Sequence, residues 1–192
     1  IKASTILKKM DLSAQGYFVL SAHREENLDS EKNFMALIDT VNALVSHYKK
    51  PIIFSTHPRT MKKLEASGAK LDPKVIVNKP FGFFDYITLQ QNAFCVVSDS
   101  GTITEETSLL GFPAITIREA HERPEGMDEG TVIMSGVEFR TVQSAIDTVT
   151  GQASSGKKPH VISDYTVDNV SQKVVRIILS YIGYIDRTVW YK

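Results

Sequence analysis

The sequence predicts an α/β fold, a Rossmann-like doubly wound parallel sheet. Three observations predict it. Short apolar runs of strand length alternate with longer segments of helical periodicity, the pattern of a parallel sheet covered on both faces. Every polar cluster in the connections (23–27, 57–59, 81–86, 98–102 and 118–125) follows a strand, so five segments can line one cleft at the same sheet edge. Finally, Val97-Ser98-Asp99-Ser100-Gly101-Thr102-Ile103-Thr104-Glu105-Glu106 carries a strand directly into a helix through small polar residues. In an open α/β sheet a phosphate sits there, facing the free N–H groups of the helix.

The elements follow in order. Residues 1–10 have helical character, and 17–22 read as the first strand. A helix over 30–48 places Phe34, Leu37, Ile38, Val41, Leu44, Val45 and Tyr48 on one face, with Ser30 as its N-cap. The strand 52–55 ends in Thr56-His57-Pro58-Arg59 and leads to a helix through Leu64. A short strand over 74–78 and the turn Pro80-Phe81-Gly82-Phe83 precede a helix over 84–91. Strand 94–97, helix 103–110 and strand 114–117 come next, with Gly111 closing the helix. Beyond a long polar loop, 132–134 is strand-like and 141–150 helical. The Gly/Ser/Lys-rich stretch 152–160 reads as a surface loop, 169–181 as an apolar-faced helix and 186–192 as a tail.

With 192 residues the chain can bury one core, and it reads as a single domain over 1–192. Lys+Arg and Asp+Glu both total 22, which leaves no charge bias toward nucleic acid. Cys95 is the only cysteine, so no disulfide can form within the chain, and its apolar strand makes it an inert thiol. The apolar runs are too short to span a membrane, and a cytoplasmic location is expected. A doubly wound half whose cleft faces nothing is a strange enzyme. The chain is therefore expected to be the second half of a longer protein.

Chemistry can be assigned at the phosphate turn from residue type alone. Ser100 and Thr102 supply hydroxyl donors, and Gly101 lets the backbone approach an anion. Glu106, one turn into the helix, can accept two hydrogen bonds from a ribose diol. Glu105 points elsewhere and is expected to be solvated.

Taken together, His23-Arg24-Glu25-Glu26-Asn27, Ser98-Asp99-Ser100-Gly101-Thr102-Ile103-Thr104-Glu105-Glu106 and His121-Glu122-Arg123-Pro124-Glu125 resemble the non-hydrolysing UDP-N-acetylglucosamine 2-epimerases, from about residue 17 to about 182. The resemblance implies one Rossmann-like half of a glycosyltransferase-B type enzyme, the C-terminal UDP-binding domain. It implies an isomerase that inverts C2 of a UDP-2-acetamido sugar by eliminating and re-adding UDP, with no cofactor and no metal. His23 would be the essential histidine, with Arg24 beside it on UDP. Arg123 would clamp the diphosphate, and Ser100, Gly101, Thr102 and Glu106 would hold phosphate and ribose. Arg118 has two readings, a second clamp or an ion pair with a nearby glutamate. Phe81 and Tyr86 resemble the uracil-recognising segment, and His57 a cleft-lining histidine. The carboxylates that move the C2 proton would belong to the missing N-terminal domain, and the full-length protein would be a homodimer.

Two departures mark a branch: Glu25 stands where the family has a second arginine, and Thr102 where it has a second glycine. With the ending Arg187-Thr188-Val189-Trp190-Tyr191-Lys192 they resemble the enzymes that form UDP-N-acetyl-L-fucosamine for capsule or O-antigen synthesis. Two further readings stay open: a glycosyltransferase-B sugar transferase, and a UDP-sugar-binding module without chemistry.

Overall fold

The computed structural model describes residues 4–120 and 122–192. Of the motif residues quoted above, His121 lies outside the described residues, as do residues 1–3 of the expected N-terminal helix. The chain divides into two compact units, Ile1–Ile162 and Ser163–Lys192. In the first, strands Phe18–Ser21 (β1), Ile52–Ser55 (β2), Val75–Asn78 (β3), Cys95–Ser98 (β4), Ala114–Thr116 (β5) and Ile133–Met134 (β6) form one sheet in the order β3-β2-β1-β4-β5-β6. Every pairing is parallel. The chain winds outward from β1 through β2 and β3, then returns to lay β4 on the other side of β1. That reversal opens a crevice outside the carboxyl ends of β1 and β4, where ligands of such sheets bind. The register sets Ser21 opposite Ser98, so the two strands end level.

Alternating strand residues build two cores, because successive side chains leave a strand on opposite faces. Phe18, Leu20, Ile52, Phe54, Cys95 and Val97 join one cluster, whereas Tyr17, Val19, Ile53 and Val96 join the other. The first is capped by Glu31–Tyr48 (α3) and Phe139–Ser154 (α8), which contribute Leu37, Val41, Leu44, Val142 and Ile146. On the second face Ile6–Lys9 (α1), Phe83–Asn92 (α5) and Thr102–Leu110 (α6) supply Ile6, Leu89 and Ile103. Phe54 is wholly buried in the first cluster. Phe54→Ala should therefore cost about 3–5 kcal/mol of unfolding free energy, measured by denaturant titration.

Ser30 caps α3 as the spacing predicts, its hydroxyl accepting from the Asn33 N–H at 3.2 Å. Gly111 ends α6 in the left-handed conformation at φ 71°. Cys95 is fully buried, and burial pushes its thiol well above the usual range. Among the described residues no helix is long and apolar enough to cross a membrane.

The differences from expectation fall in polar stretches. Two short helices, Glu25–Leu28 (α2) and Pro124–Asp128 (α7), occupy segments whose composition reads as loop. Each is a single turn tied down by neighbours, below the length at which periodicity can be seen. Between them in sequence, Pro58–Ser67 (α4) starts at its proline and runs past the expected Leu64. Helix α8 continues through Gly151 to Ser154, because Val142, Ala145, Ile146 and Thr150 are buried along one face and carry the glycine with them. The second unit, Ser163–Lys192, consists of a 3-10 turn, Ser163–Tyr165, and a helix, Val170–Thr188 (α9), which extends into the expected tail.

Candidate nucleotide site at the sheet switch point

At the crevice lies a cavity of about 230 Å³ whose walls include His23, His57, Phe81, Tyr86, Ser100 and Glu106. These side chains come from four different connections, each leaving the carboxyl end of a strand. Thr102 lines the same cavity. Gly101 and Arg118 instead line a small adjoining hollow with Glu122, which shares Ser100 with the main cavity. The sequence places these residues at one sheet edge, and the structure divides them between two neighbouring depressions around the start of α6.

His23 is held by a residue that the sequence analysis does not single out. Asp99, fully buried, follows β4 directly. Its Oδ2 accepts the backbone N–H groups of His23 and Arg24, both at 2.8 Å, and the Asn27 amide at 3.1 Å. Its Oδ1 lies 3.1 Å from His23 Nδ1. Asn27, itself buried, also donates to the Ile117 carbonyl at 3.3 Å, tying the β1 loop to the end of β5. The sequence does carry a signal for it: a lone carboxylate in the Ser98-Asp99-Ser100 turn opposite a histidine at the neighbouring strand end. His57 faces His23, ring centroids 6.4 Å apart, and its Nδ1 caps α4 by accepting the Arg59 N–H at 3.4 Å.

On the α6 side, Glu106 is fixed at both oxygens. Thr102 Oγ1 donates to Oε1 at 2.9 Å, and Gln90 Nε2 donates to Oε2 at 2.5 Å. Gln90 is buried, and sequence analysis misses it because a glutamine inside an apolar helix carries no motif. The hydroxyls of Ser100 and Thr102 sit 3.0 Å apart. Tyr86 lines the cavity while packing against the second core, as Phe81 does. Burial, followed by the Glu106 charge, holds the Tyr86 phenol above its usual range, although it also hydrogen-bonds Ser21. Tyr86 is therefore anchored at its hydroxyl and offers the cavity its ring.

Three arginines converge on the carboxylate of Glu122. Arg24 donates at 2.9 Å, Arg118 forms a short contact, and Arg123 Nη1 lies 3.9 Å away. Desolvation pushes that carboxyl upward, but the charges of Arg24, Arg118 and Arg123 outweigh it and hold it below the usual range. Of the two readings of Arg118, the structure contains the ion pair: it also donates to Glu26 at 3.2 Å. Glu105, expected to be solvated, instead receives Arg123 Nε at 2.7 Å. Gly101 has a helical φ of −62°, so its need is space and not conformation. A Cβ there would lie 2.6 Å from Glu122 Oε2, so a negatively charged group does approach this backbone closely, supplied by the protein itself. Arg123 adopts φ 72°, a left-handed conformation uncommon for a side chain of its size. The family departure Glu25 pairs with Arg59 at 3.0 Å, and Arg59 also forks onto Asp29 at 2.8 Å. Among the described residues no group of three His, Cys, Asp or Glu is arranged to hold a metal ion.

This sheet order, with a crevice at the switch point and arginines beside a helix start, defines a doubly wound, Rossmann-like α/β domain. The family model of UDP-N-acetylglucosamine 2-epimerase matches residues 1–179, and the chain belongs to that family. A UDP-N-acetylglucosamine 2-epimerase of Methanocaldococcus jannaschii is 30% identical over 166 residues, 84% of this chain and 44% of that one. The structure of the Rickettsia bellii UDP-N-acetylglucosamine 2-epimerase is 45% identical with a TM-score of 0.79, covering 100% of this chain and 51% of that one. The Methanocaldococcus jannaschii epimerase, solved in complex with UDP-GlcNAc and UDP, superposes with a TM-score of 0.77 at 27% identity, over 93% of this chain and 49% of that one. The chain thus spans about half the length of the relatives it matches.

Proposed function

We propose that this chain is the UDP-binding half of a UDP-2-acetamido-sugar 2-epimerase of glycosyltransferase-B type. One observation carries the reading: His23, Ser100, Thr102 and Glu106 line one cavity at the β1/β4 switch point, beside a start of α6 whose glycine already lies against a carboxylate. A diphosphate would replace that carboxylate among the arginines, the Glu106 carboxylate would accept the ribose diol, and Phe81 and Tyr86 would border the uracil. The sugar C1 would then lie toward His23.

In the reaction the C2 proton passes to a base while the C1–O bond breaks, its electron pair leaving on the β-phosphate oxygen of UDP. The resulting glycal takes UDP back at C1 and a proton on the opposite face of C2. Charge therefore develops on the diphosphate, where cationic and N–H donors stabilise it most. His23 and the arginines are placed for that role. The proton-transfer carboxylates would come from a partner domain of the same protein, which as a homodimer in the cytoplasm would supply a capsule or O-antigen precursor. Glu25 and Thr102 favour the branch whose product is UDP-N-acetyl-L-fucosamine.

Arg123→Ala should weaken UDP binding by about tenfold or more in calorimetric titration, as expected for losing a charge-assisted hydrogen bond of about 1.5–3 kcal/mol. Arg118→Ala should cost less, because Arg118 donates to both Glu26 and Glu122, whereas Arg123 donates to Glu105 and stands 3.9 Å from Glu122. Equal losses at both positions would move the clamp away from Arg123. No UDP binding by the unaltered protein would overturn the reading altogether.

A further inference from the structure

Asp99 divides its work between its two oxygens. Oδ2 accepts two backbone N–H groups and the Asn27 amide, which is enough to hold the loop after β1 in place. Oδ1 does something else. It is buried and accepts no hydrogen bond among the described residues, and His23 Nδ1 stands 3.1 Å from it. A buried carboxylate oxygen without a donor is costly, and a proton on His23 Nδ1 removes that cost. We infer that Asp99 is a positioning residue that fixes His23 in the Nδ1–H form, leaving Nε2 as the ring atom presented to the cavity. The inference rests on the proposed function for what Nε2 then does: it meets the substrate's diphosphate or sugar oxygen.

Loop stapling alone does not account for this arrangement. A staple needs an acceptor at Oδ2, and an asparagine would serve equally well there. Only a carboxylate presents a second acceptor to Nδ1. The position next to His23 in the sheet follows from register: Ser21 and Ser98 are paired, so the residues just beyond each strand end stand side by side. The same carboxylate that shapes the loop thereby sets the proton on the ring, so backbone geometry and side-chain tautomer cannot drift apart.

Asp99→Asn separates the two roles with a single-atom change. Its carbonyl can keep the three donors at the Oδ2 position while its amide turns toward Nδ1, which must then become an acceptor and shift the proton to Nε2. Nitrogen-15 spectra of the imidazole in the 192-residue chain should show His23 protonated at Nδ1, and at Nε2 in Asp99→Asn. UDP affinity should stay within about threefold, because Asp99 touches His23 and the Arg24 backbone but hydrogen-bonds none of Ser100, Glu106 and Arg123, which carry the proposed UDP contacts. In the full-length protein kcat should fall about 10²–10⁴-fold, the range for a misdirected acid–base group. Asp99→Asn should add nothing further in a His23→Ala background, since residues that act as a unit are not additive.

An unprotonated Nδ1 in the unaltered chain would overturn the inference, as would an equal kcat loss with and without His23. If Asp99→Asn fails to fold, the spectrum of the unaltered chain still decides the tautomer. That spectrum also separates this inference from the functional reading: an Nδ1–H ring in a protein without epimerase activity would leave the positioning intact and remove the reaction.

Discussion

In the full-length protein, His23→Ala is expected to lower turnover by about 10²–10⁴-fold, far out of proportion to its effect on folding. The side chain is 36% exposed and stands at the mouth of the cavity, away from both apolar clusters. A loop histidine read from sequence alone would cost no more than about 0.5 kcal/mol of stability. The structure raises that figure to about 1 kcal/mol, because the buried Asp99 Oδ1 loses its ion-pair neighbour, His23 Nδ1, 3.1 Å away. Water can enter from the cavity and replace part of that interaction. UDP should still bind, since Glu106 and the arginines remain, and the loss should therefore appear in kcat and not in KM. Turnover and denaturant midpoint, measured on the same preparation, separate the two effects. A variant that unfolds early yet keeps near-normal turnover would make His23 a structural residue and leave the cavity without its central group.

What the sequence made legible follows a physical division. The sheet, its helices and its carboxyl-edge loops are read from periodicity, and periodicity is imposed by burial. Leu37, Val41 and Leu44 had to share a face of α3 because one face meets the sheet, and Phe34 joins Leu28 and Ile38 in a smaller cluster beside it. Residues in the cavity are found the same way, by asking which polar clusters follow strands. What stays illegible depends on partners far apart in sequence. Asp99 reaches back to His23 and Asn27, and Gln90 reaches forward to Glu106; neither relation has a spacing that can be read along the chain. The fate of the charges is illegible for the same reason. Glu105 has the pattern of a solvated helix residue, yet the loop after β5 brings Arg123 onto it. Glu122 sits between three arginines and against Gly101, a placement that only the folded loop creates. Two single-turn helices, α2 and α7, escape sequence analysis because their conformation is set by those tertiary contacts and not by an apolar stripe.

The 192-residue chain on its own is expected to bind UDP and to epimerise nothing. Binding needs only groups already in place: Ser100, Thr102 and Glu106 in the cavity, Arg118 in the neighbouring hollow, and Arg24 and Arg123 beside Glu122. Turnover needs more. A proton must leave C2 on one face and return on the other, which calls for acid–base groups on both sides of the sugar. The titratable side chains among the cavity walls are His23, His57, Tyr86 and Glu106. Glu106 already accepts hydrogen bonds at both oxygens, from Thr102 and Gln90, and Tyr86 is anchored to Ser21 with its phenol held above the usual range. His23 and His57 are both engaged at Nδ1 and their rings face each other 6.4 Å apart, and two rings on one side of the sugar cannot serve both faces. Each missing acid–base group costs about 10²–10⁴-fold, and two of them place the rate below detection. The measurement is deuterium wash-in at sugar C2, run beside a calorimetric titration with UDP. Binding without exchange is the expected pair of results. Exchange catalysed by this chain alone would mean that the proton-transfer groups lie within these 192 residues, and that the two-domain reading of the site is wrong.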